Sequence, residues 1–391
     1  MRRPTMASFR PQSGALPARP KGLAAYLFWP RPGRPRGRRG LTATPGCLVA
    51  AALAAACGGV ALRPCCTAVG GPVARMPRRE TAVLLAAGIP WGPCIASTDS
   101  GALALQSLTA ADISDMEQLI HGPGVGWQQT SRDLQRLTEE AAALGIRAAD
   151  GHLISLAALR EWNGPKGRWG WLSFVCTEPS ARRRGLARRL VTELLRRTGS
   201  DVPVGLYGGG VALNLYRSLG FEPRGAARFL RREPARLSSP SALEKAAESL
   251  SGNPELVRRV AEADQQIYGA DRTADIRAWS EQPGGGVVLP SGSYGFGRPR
   301  SPGGVWIGPL VAQDASEAEA LLAAILRVAP GGPAEMLEPP GAPGAAAEAA
   351  ARLGFAVSGA PQLMVRGEQA LPPLREHSGR RLFFASGFEY G

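Results

Sequence analysis

Residues 175–195 read Val-Cys-Thr-Glu-Pro-Ser-Ala-Arg-Arg-Arg-Gly-Leu-Ala-Arg-Arg-Leu-Val-Thr-Glu-Leu-Leu. An apolar run ends at Pro179 and a basic turn with a glycine follows. The leucines after the turn recur at helical spacing, at Leu186, Leu190, Leu194 and Leu195. A strand that enters a helix through such a turn points unpaired backbone N–H groups at one spot, where the helix dipole favours an anion. The stretch therefore predicts a strand, an anion-binding turn and an amphipathic helix.

The turn has the spacing Arg182-x-x-Gly185-x-Ala187. This resembles the R/Q-x-x-G-x-G/A loop of the GNAT superfamily of N-acetyltransferases, which holds the diphosphate of acetyl-coenzyme A (acetyl-CoA). The residue at Gly185 has to bring main chain against a phosphate, and glycine has no Cβ to obstruct that approach. The alternative interpretation is a solvated basic helix start, because short glycine motifs are weak signals by themselves.

A second motif lies downstream, at Ala212-Leu-Asn-Leu-Tyr-Arg-Ser-Leu-Gly-Phe221. It predicts a short helix that ends at Gly220, a usual C-terminal stop. It also resembles the second GNAT signature, A-x-x-x-Y-x-x-x-G-F, at all of its defined positions, with Tyr216 as the tyrosine. The match is imperfect upstream, where the family often has Asn and this chain has Gly209.

The segments around the two motifs follow the GNAT order β-α-α-β-β-β-α-β-α-β, over about Leu105 to Glu233. Capping boxes and hairpin turn residues supply the boundaries. In chain order, the predicted elements are a strand at 105–107, a helix opened by the Thr109–Asp112 capping box and ending near His121, a helix at 131–144, hairpin turns at Asp150-Gly151 and Asn163-Gly164, a strand at 201–207 and closing strands within 221–232.

The resemblance implies roles in acetyl transfer. The strand that ends at Thr177 pairs with the pantetheine arm through Val175 and Thr177, the Val175 N–H faces the thioester carbonyl, and Tyr216 protonates the thiolate. The implied catalytic residues are Tyr216 and Val175. The implied cofactor-binding residues are Val175, Thr177, Arg182, Arg183, Arg184, Gly185, Leu186, Ala187 and Arg188. An ordinary tyrosine pKa of about 10 suits an acid, and a core tyrosine is the alternative. Glu178, His152 and a water-mediated route all stay open for the general base.

The positive charge of the chain is confined to its first part. The 391 residues carry a formal net charge of +14. Residues 1–79 hold 14 of the 46 Lys and Arg residues and no Asp or Glu, so the other 312 residues hold 32 basic and 32 acidic side chains. The part of the chain with a foldable pattern is neutral, which removes the main support for a nucleic-acid-binding protein.

Residues 1–104 are predicted to form a disordered targeting leader rich in Arg, Pro and Ala, because this composition buries too little apolar surface to fold. Two apolar stretches, Gly46–Leu62 and Thr81–Thr98, are too short or too interrupted by Gly and Pro for a membrane span. The layout predicts plastid (chloroplast) localisation. The alternatives are a mitochondrial leader, a cytoplasmic protein, and an extension that is never removed. Four of the six cysteines lie within residues 1–79 and Cys94 lies near the end of the leader, and no disulfide framework or metal site is expected.

The segment after about Ser238 repeats the pattern of the first domain. Leu219–Leu230 aligns without gaps with Leu353–Met364, and a helix at 318–327 and a strand at 334–337 precede it as in the first copy. The sequence therefore predicts an α/β protein with mixed sheets, made of two GNAT-like domains at 105–236 and 240–391. This arrangement resembles that of tandem GNAT proteins.

The second copy lacks the residues of the cofactor loop. Its equivalent reads Ala312-Gln-Asp-Ala-Ser-Glu-Ala318, with no Gly or Arg and with two acids that repel a diphosphate, and Ala350 stands at the position of Tyr216. Acetyl-CoA is therefore assigned to the first domain, and the second is expected to shape the acceptor site or an interface. The candidates for lining that site, which buried strand residues explain equally well, are Tyr294, Phe296 and Arg298.

The resemblance implies an acetyl-CoA-dependent N-acetyltransferase that acts on a primary amine of a small molecule or a protein. The alternative is a non-catalytic GNAT-fold module that binds CoA or a partner, and the intact loop with Tyr216 favours the enzyme. The expected partners are acetyl-CoA and an amine acceptor, and a homodimer stays open. No nucleic acid, metal or stable membrane span is expected.

Overall fold

The computed structural model describes residues 103–165, 167–329, 331–367, 371 and 376–390. They form two mixed sheets flanked by helices. The strands of the first half are β1 (Leu105–Ser107), β2 (Ala142–Arg147), β3 (Leu153–Gly164), β4 (Gly167–Thr177), β5 (Val204–Gly208), β6 (Glu222–Ala226) and β7 (Arg228–Arg232). Its helices are α1 (Ile113–His121), α2 (Ser131–Glu140), α3 (Leu186–Thr198) and α4 (Ala212–Ser218).

The second half repeats this plan with an additional strand at its end. Its strands are β8 (Glu248–Ser249), β9 (Gly286–Val288), β10 (Tyr294–Pro299), β11 (Val305–Ala312), β12 (Ala334–Glu338), β13 (Ala356–Gly359), β14 (Gln362–Arg366) and β15 (Arg381–Phe384). Its helices are α5 (Ala242–Lys245), α6 (Pro254–Tyr268), α7 (Thr273–Ser280), α8 (Ala315–Val328) and α9 (Gly344–Arg352). The predicted mixed α/β class with two similar domains is confirmed.

The two sheets exchange one strand each. The first sheet has the order β1-β2-β3-β4-β5-β14-β6 and the second β13-β7-β12-β11-β10-β9-β8, with β15 on β11. Met364 of β14 lies opposite Leu206 of β5, and Leu230 of β7 lies opposite Met336 of β12. Because β7 and β14 are equivalent strands of the repeat, each completes the sheet of the other copy. Each sheet therefore contains one strand from the other side of the predicted boundary between residues 236 and 240.

Local sequence signals give the first helices, with one error of length. The Asp112 carboxylate accepts a hydrogen bond from the Thr109 backbone N–H at 2.8 Å, and α1 ends at His121 as predicted. The predicted helix at 131–144 is too long, because α2 ends at Glu140 and Ala142 begins β2. Alanines favour a helix locally, but burial of Ala143 in the sheet overrides that preference.

The helix predicted after the basic turn packs as its spacing indicates. The leucine face of α3 is buried against the first sheet, where Val204, Leu206 and the exchanged Met364 complete the core. The four buried leucines are Leu186, Leu190, Leu194 and Leu195. The apolar face of α3 thus fixes the position of the turn that precedes it.

Aromatic rings connect the end of the chain to the first sheet. The Phe388 ring lies 6.1 Å from Tyr207 and 5.7 Å from Trp306 between centroids, and the Trp171 indole Nε1 donates a hydrogen bond to the Phe388 carbonyl at 2.9 Å. These contacts hold the C-terminal segment against β4 and β5 of the first half.

The predicted leader of residues 1–104 lies outside the described residues except for its last two. Of the helices in the described part of the chain, none has the length and apolar character that a membrane span requires.

A chain of residues 103–391 is expected to be soluble and to unfold cooperatively near the melting temperature of the full chain, because the predicted leader carries the excess charge and no foldable pattern. Leu103 is retained since its carbonyl accepts a hydrogen bond from Arg189 at 2.8 Å. Calorimetry of both chains makes the comparison. Aggregation of the shortened chain beside a well-folded full chain would show that the leader packs on the domains.

Candidate active site

The first turn of α3 presents backbone N–H groups that lack acceptors. Gly185 precedes the helix at φ +78°, in the left-handed region that glycine adopts without strain. Within the described residues, the N–H groups of Leu186, Ala187 and Arg188 donate no hydrogen bond, and no side chain caps the helix. A Cβ placed on Gly185 meets nothing within 4 Å. The space before the helix is open, and such a helix terminus can bind an anion.

The arginines of the loop differ in what they contact. Arg182 donates from Nε to the Thr177 carbonyl at 3.1 Å and from a terminal nitrogen to the Gly124 carbonyl at 2.6 Å. Its guanidinium therefore fastens the turn to the end of β4 and to the loop after α1. The exposed arginines beside the helix N-terminus are Arg183, Arg184 and Arg188. These three supply positive charge next to the open N–H groups.

The strand before the turn separates from its parallel neighbour. The pairing of β4 with β5 ends at Trp171 and Gly205, whereas β4 continues to Thr177. Phe174 has φ +54°, and the register between β3 and β4 shifts there, so β4 contains a bulge. Because a bulge bends the strand, β4 diverges from β5 and leaves an open backbone edge beside Val175.

Tyr216 lies on α4 with its ring in the core. The ring packs edge to face on Phe221, with 5.9 Å between centroids, and against Gly208, where a Cβ would come within 3.0 Å of it. The hydroxyl makes no hydrogen bond with any described residue, and Tyr216 is 6% exposed. Burial raises the pKa of Tyr216 above its ordinary value. Tyr216 is thus a core ring whose protonated hydroxyl makes no hydrogen bond with a described residue.

In the second domain, carboxylates occupy the helix terminus that corresponds to the open one. The Asp314 Oδ1 accepts hydrogen bonds from the backbone N–H groups of Ser316 and Glu317, at 2.8 and 3.0 Å. The Glu317 Oε2 accepts from the Gln313 N–H at 3.0 Å. The chain's own carboxylates therefore use the donors that an anionic ligand would need.

The gap between strands is also filled in the second domain. β11 and β12 pair in parallel only at Val305–Ala334 and Trp306–Glu335 and then separate, as β4 and β5 do. β15 enters this gap and pairs antiparallel with the end of β11, and the Ala385 N–H donates to the Leu337 carbonyl of β12 at 2.8 Å. The two features that are open in the first domain are both closed in the second.

A cavity lies on the other side of the β4 bulge, between α2, β3 and the C-terminal segment. Its walls are both charged and apolar. The residues that line it are Asp133, Arg136, Leu137, Glu140, Ala141, Arg160, Phe174, Glu389 and Tyr390. Since Phe174 is the residue next to Val175, a molecule in this cavity is close to the open edge of β4.

One group of ion pairs forms the floor of the cavity. Arg136 and Arg160 both bind Asp275, at 2.6 and 2.9 Å, and both also bind Glu140. Asp275 is fully buried and belongs to α7, so these pairs join the two halves of the chain. Burial and the neighbouring Asp275 carboxylate together raise the pKa of Glu140.

A second group closes the cavity from the side of β10. Arg298 lies 3.3 Å from the Glu389 Oε1 and 3.6 Å from the Asp133 Oδ1, and Arg300 lies 3.1 Å from the Glu389 Oε1. Burial opposes ionisation of Glu389, but Arg300 and Arg298 outweigh it and hold its pKa below the usual range. Glu389 is therefore a buried, ionised carboxylate.

The two side chains predicted as candidates for the general base bind each other at the surface. The His152 Nε2 lies 3.0 Å from the Glu178 Oε2, and its Nδ1 lies 2.6 Å from the Asp150 Oδ1. The Asp150 and Glu178 carboxylates accept hydrogen bonds from the imidazole and raise the pKa of His152, and the bond from His152 lowers the pKa of Glu178. Neither His152 nor Glu178 lines the cavity.

The three candidates from the second domain separate into two core residues and one residue behind the cavity. Tyr294 and Phe296 are buried, and the Tyr294 hydroxyl donates to the Asp264 Oδ1 at 2.7 Å. Arg298 instead contacts Glu389, a residue of the cavity wall. Among the described residues, no group of three or more His, Cys, Asp or Glu side chains is arranged to hold a metal.

Sequence reasoning missed most of the cavity. The Thr130-x-x-Asp133 capping box is a sequence signal that would have placed Asp133 at the start of α2. Asp275 and Glu389 give no local signal, because the Arg136–Asp275 pair joins residues 139 positions apart.

Two family matches cover both halves. Residues 111–221 match the acetyltransferase (GNAT) family, and residues 260–378 match an acetyltransferase (GNAT) domain. No curated protein matches the chain.

Solved structures share the fold at low sequence identity. A putative acetyltransferase from Pyrococcus horikoshii is 17% identical over 75% of this chain and 98% of its own, with a TM-score of 0.58. A GCN5-related N-acetyltransferase from Sphaerobacter thermophilus is 17% identical over 70% of this chain and 97% of its own, with a TM-score of 0.46. The first likeness extends over both halves of the described chain.

Proposed function

The chain belongs to the GNAT superfamily of acetyltransferases and carries two such domains in tandem, and from this premise we propose that its first domain transfers an acetyl group from acetyl-CoA to a primary amine. The acceptor is a small molecule or a protein amine. The second domain binds no acetyl-CoA and supplies part of the acceptor site.

The contrast between the two domains carries this proposal. The first domain has an open helix terminus before Leu186 and an open strand edge beside Val175. In the second domain, Asp314 caps the equivalent helix and β15 fills the equivalent gap. A diphosphate requires the open helix terminus and a pantetheine arm requires the open strand edge. Of the two domains, the first retains both features and the second has lost both.

The residues of the first domain fit the steps of acetyl transfer. The N–H groups at the start of α3 bind the diphosphate, and the Val175 N–H donates to the thioester oxygen, where negative charge develops. The amine nitrogen bonds to the acetyl carbon as the carbon–sulfur bond breaks, and the nitrogen loses its proton to solvent. The Tyr216 hydroxyl donates a proton to the departing sulfur and regains one from solvent.

Turnover of acetyl-CoA by the full chain tests the proposal. The assay measures free thiol released with a panel of polyamines, amino acids and peptide N-termini, while calorimetry measures acetyl-CoA binding. Release that depends on an amine supports the proposal. Binding without turnover on any amine would favour a non-catalytic module, and the absence of binding would refute the assignment of the loop.

We further propose that residues 1–104 direct the protein to a plastid, with the mitochondrion and the cytoplasm as alternatives. The support is the Arg-rich, acid-free composition of residues 1–79. A fluorescent protein fused after residue 104 tests this, because its location in plant cells separates the three compartments.

A further inference from the structure

The cavity beside the β4 bulge has the right position for an acceptor. Phe174 lines it, and Phe174 is adjacent in the chain to Val175, whose N–H we assign to the thioester carbonyl. Leu137 and Tyr390 add apolar walls around the charged groups. A nitrogen nucleophile held here is on the acceptor side of the strand, opposite the turn that leads into α3.

Asp133 presents one carboxylate oxygen that has no hydrogen bond. The capping box uses the other oxygen, because the Asp133 Oδ2 accepts from the backbone N–H and the hydroxyl of Thr130, each at 2.9 Å. The Oδ1 accepts no hydrogen bond from a described residue, and the Arg298 guanidinium lies 3.6 Å from it. Asp133 is only 3% exposed, and it lines the cavity. The cap thus fixes the carboxylate with one oxygen available to the cavity.

Glu389 has a second oxygen without a hydrogen bond, and this one is fully buried. Its Oε1 binds Arg300 and Arg298, whereas its Oε2 is buried and has no hydrogen-bond partner among the described residues. A buried carboxylate oxygen without a donor is costly and calls for an explanation. A donor that arrives with the ligand would supply the missing hydrogen bond.

The charges around these two oxygens cancel. Arg298 and Arg300 offset Asp133 and Glu389, and on the floor Arg136 and Arg160 offset Glu140 and Asp275. A site with surplus negative charge would hold an amine as its ammonium ion and raise its pKa. A balanced site instead offers hydrogen-bond acceptors that suit the neutral amine, the form that has a lone pair for attack.

We propose that the Asp133 Oδ1 and the Glu389 Oε2 accept the two N–H bonds of a neutral primary amine, and that this pair selects primary over secondary amines. The inference rests on the proposed acetyltransferase activity and adds the residues that recognise the acceptor. A primary amine has two N–H donors for the two oxygens and keeps its lone pair for the acetyl carbon. An N-methyl amine has one N–H, so it leaves one carboxylate oxygen unpaired and brings a methyl group into the polar wall.

The test compares primary amines with their mono-N-methyl derivatives on the full chain. Butylamine, benzylamine and 2-phenylethylamine serve as the primary members of the pairs. We expect kcat/KM to favour the primary member by about 10- to 100-fold, the range for one hydrogen bond to a charged group. Asp133→Asn and Glu389→Gln keep the side-chain shape and replace an acceptor with a donor, so each should bring this ratio close to one and leave acetyl-CoA affinity unchanged.

Asp112→Asn is the matched control. Asp112 is also a capping-box carboxylate, bonded to Thr109 through one oxygen and paired with Arg147 through the other, but it does not line the cavity. Its substitution should leave the selectivity ratio at the wild-type value. The test needs only one of the variants Asp133→Asn and Glu389→Gln to fold, and the melting temperature of each shows whether it does.

Three outcomes overturn the inference: a wild type that acetylates both members of each pair equally, a wild type that binds acetyl-CoA but acetylates none of the six amines, or a folded variant at Asp133 or Glu389 that retains the full ratio. A wild type that binds no acetyl-CoA refutes the proposed function itself. The binding measurement therefore separates failure of the inference from failure of its premise.

Discussion

Gly185→Glu is expected to weaken acetyl-CoA binding by about 10²- to 10³-fold, because a carboxylate at the α3 terminus competes with the diphosphate for the same N–H groups. The second domain already has a carboxylate at the equivalent position, because Asp314 accepts hydrogen bonds from two backbone N–H groups at the start of α8. Calorimetric titration of the full chain with acetyl-CoA measures the change.

Backbone strain has to be separated from charge in this experiment. Gly185 has φ +78°, so any side chain there costs about 1–2 kcal/mol of stability, although a Cβ meets nothing within 4 Å. Gly185→Ala introduces that strain without the charge and is the control. We expect Ala to lower the melting temperature as Glu does but to retain most of the affinity. Unchanged affinity in the Glu variant would mean that the diphosphate binds elsewhere.

The part of the site that the sequence predicts is built from local signals. The α3 leucines recur at helical spacing and Gly185 occupies the left-handed position before the helix, so residues 182–195 are determined by near neighbours. The Arg182 guanidinium binds two carbonyl oxygens, and its implied contact with the cofactor stays a prediction. Spacing alone does not reveal which way a long side chain turns.

The strand exchange could not be predicted from a repeat of this kind. Leu219–Leu230 and Leu353–Met364 align without gaps, so β7 and β14 have similar patterns and either would fit either sheet. An element that is equivalent in two copies can be exchanged at low cost. The sequence similarity of the two copies therefore shows the repeat but does not predict in which sheet β7 and β14 pair.

The cavity between α2, β3 and the C-terminal segment depends on contacts between distant residues. Asp133 and Glu389 are far apart in sequence and are joined through Arg298 of β10 and through Arg300, which follows that strand. Tyr294 and Phe296 illustrate the limit of pattern reasoning, because they share the strand with Arg298 but lie in the core. Alternation along a strand predicts which residues share a face of the sheet. It does not predict which residues of other elements pack against that face.

Tyr216→Phe is expected to lower kcat by about 10²-fold or more, the range for loss of a general acid. The ring remains packed on Phe221 and no hydrogen bond to a described residue is lost, so the melting temperature should change little. Acetyl-CoA affinity should also be unchanged, because an interaction made only in the transition state contributes nothing to ground-state binding. Steady-state kinetics and calorimetry on the same preparation measure both quantities.

The pH dependence of the wild-type rate tests whether Tyr216 acts as a proton donor or only packs in the core. Burial raises the pKa of Tyr216 above its ordinary value of about 10. The proton donor therefore stays protonated from neutral pH to about pH 10, and any loss of wild-type rate from its ionisation belongs above that range. Tyr294→Phe is the control, since it removes another buried hydroxyl, with its hydrogen bond to Asp264, outside the first domain. If Tyr216→Phe turned over as fast as Tyr294→Phe, Tyr216 would be a core residue, and the sulfur would have to take its proton from water.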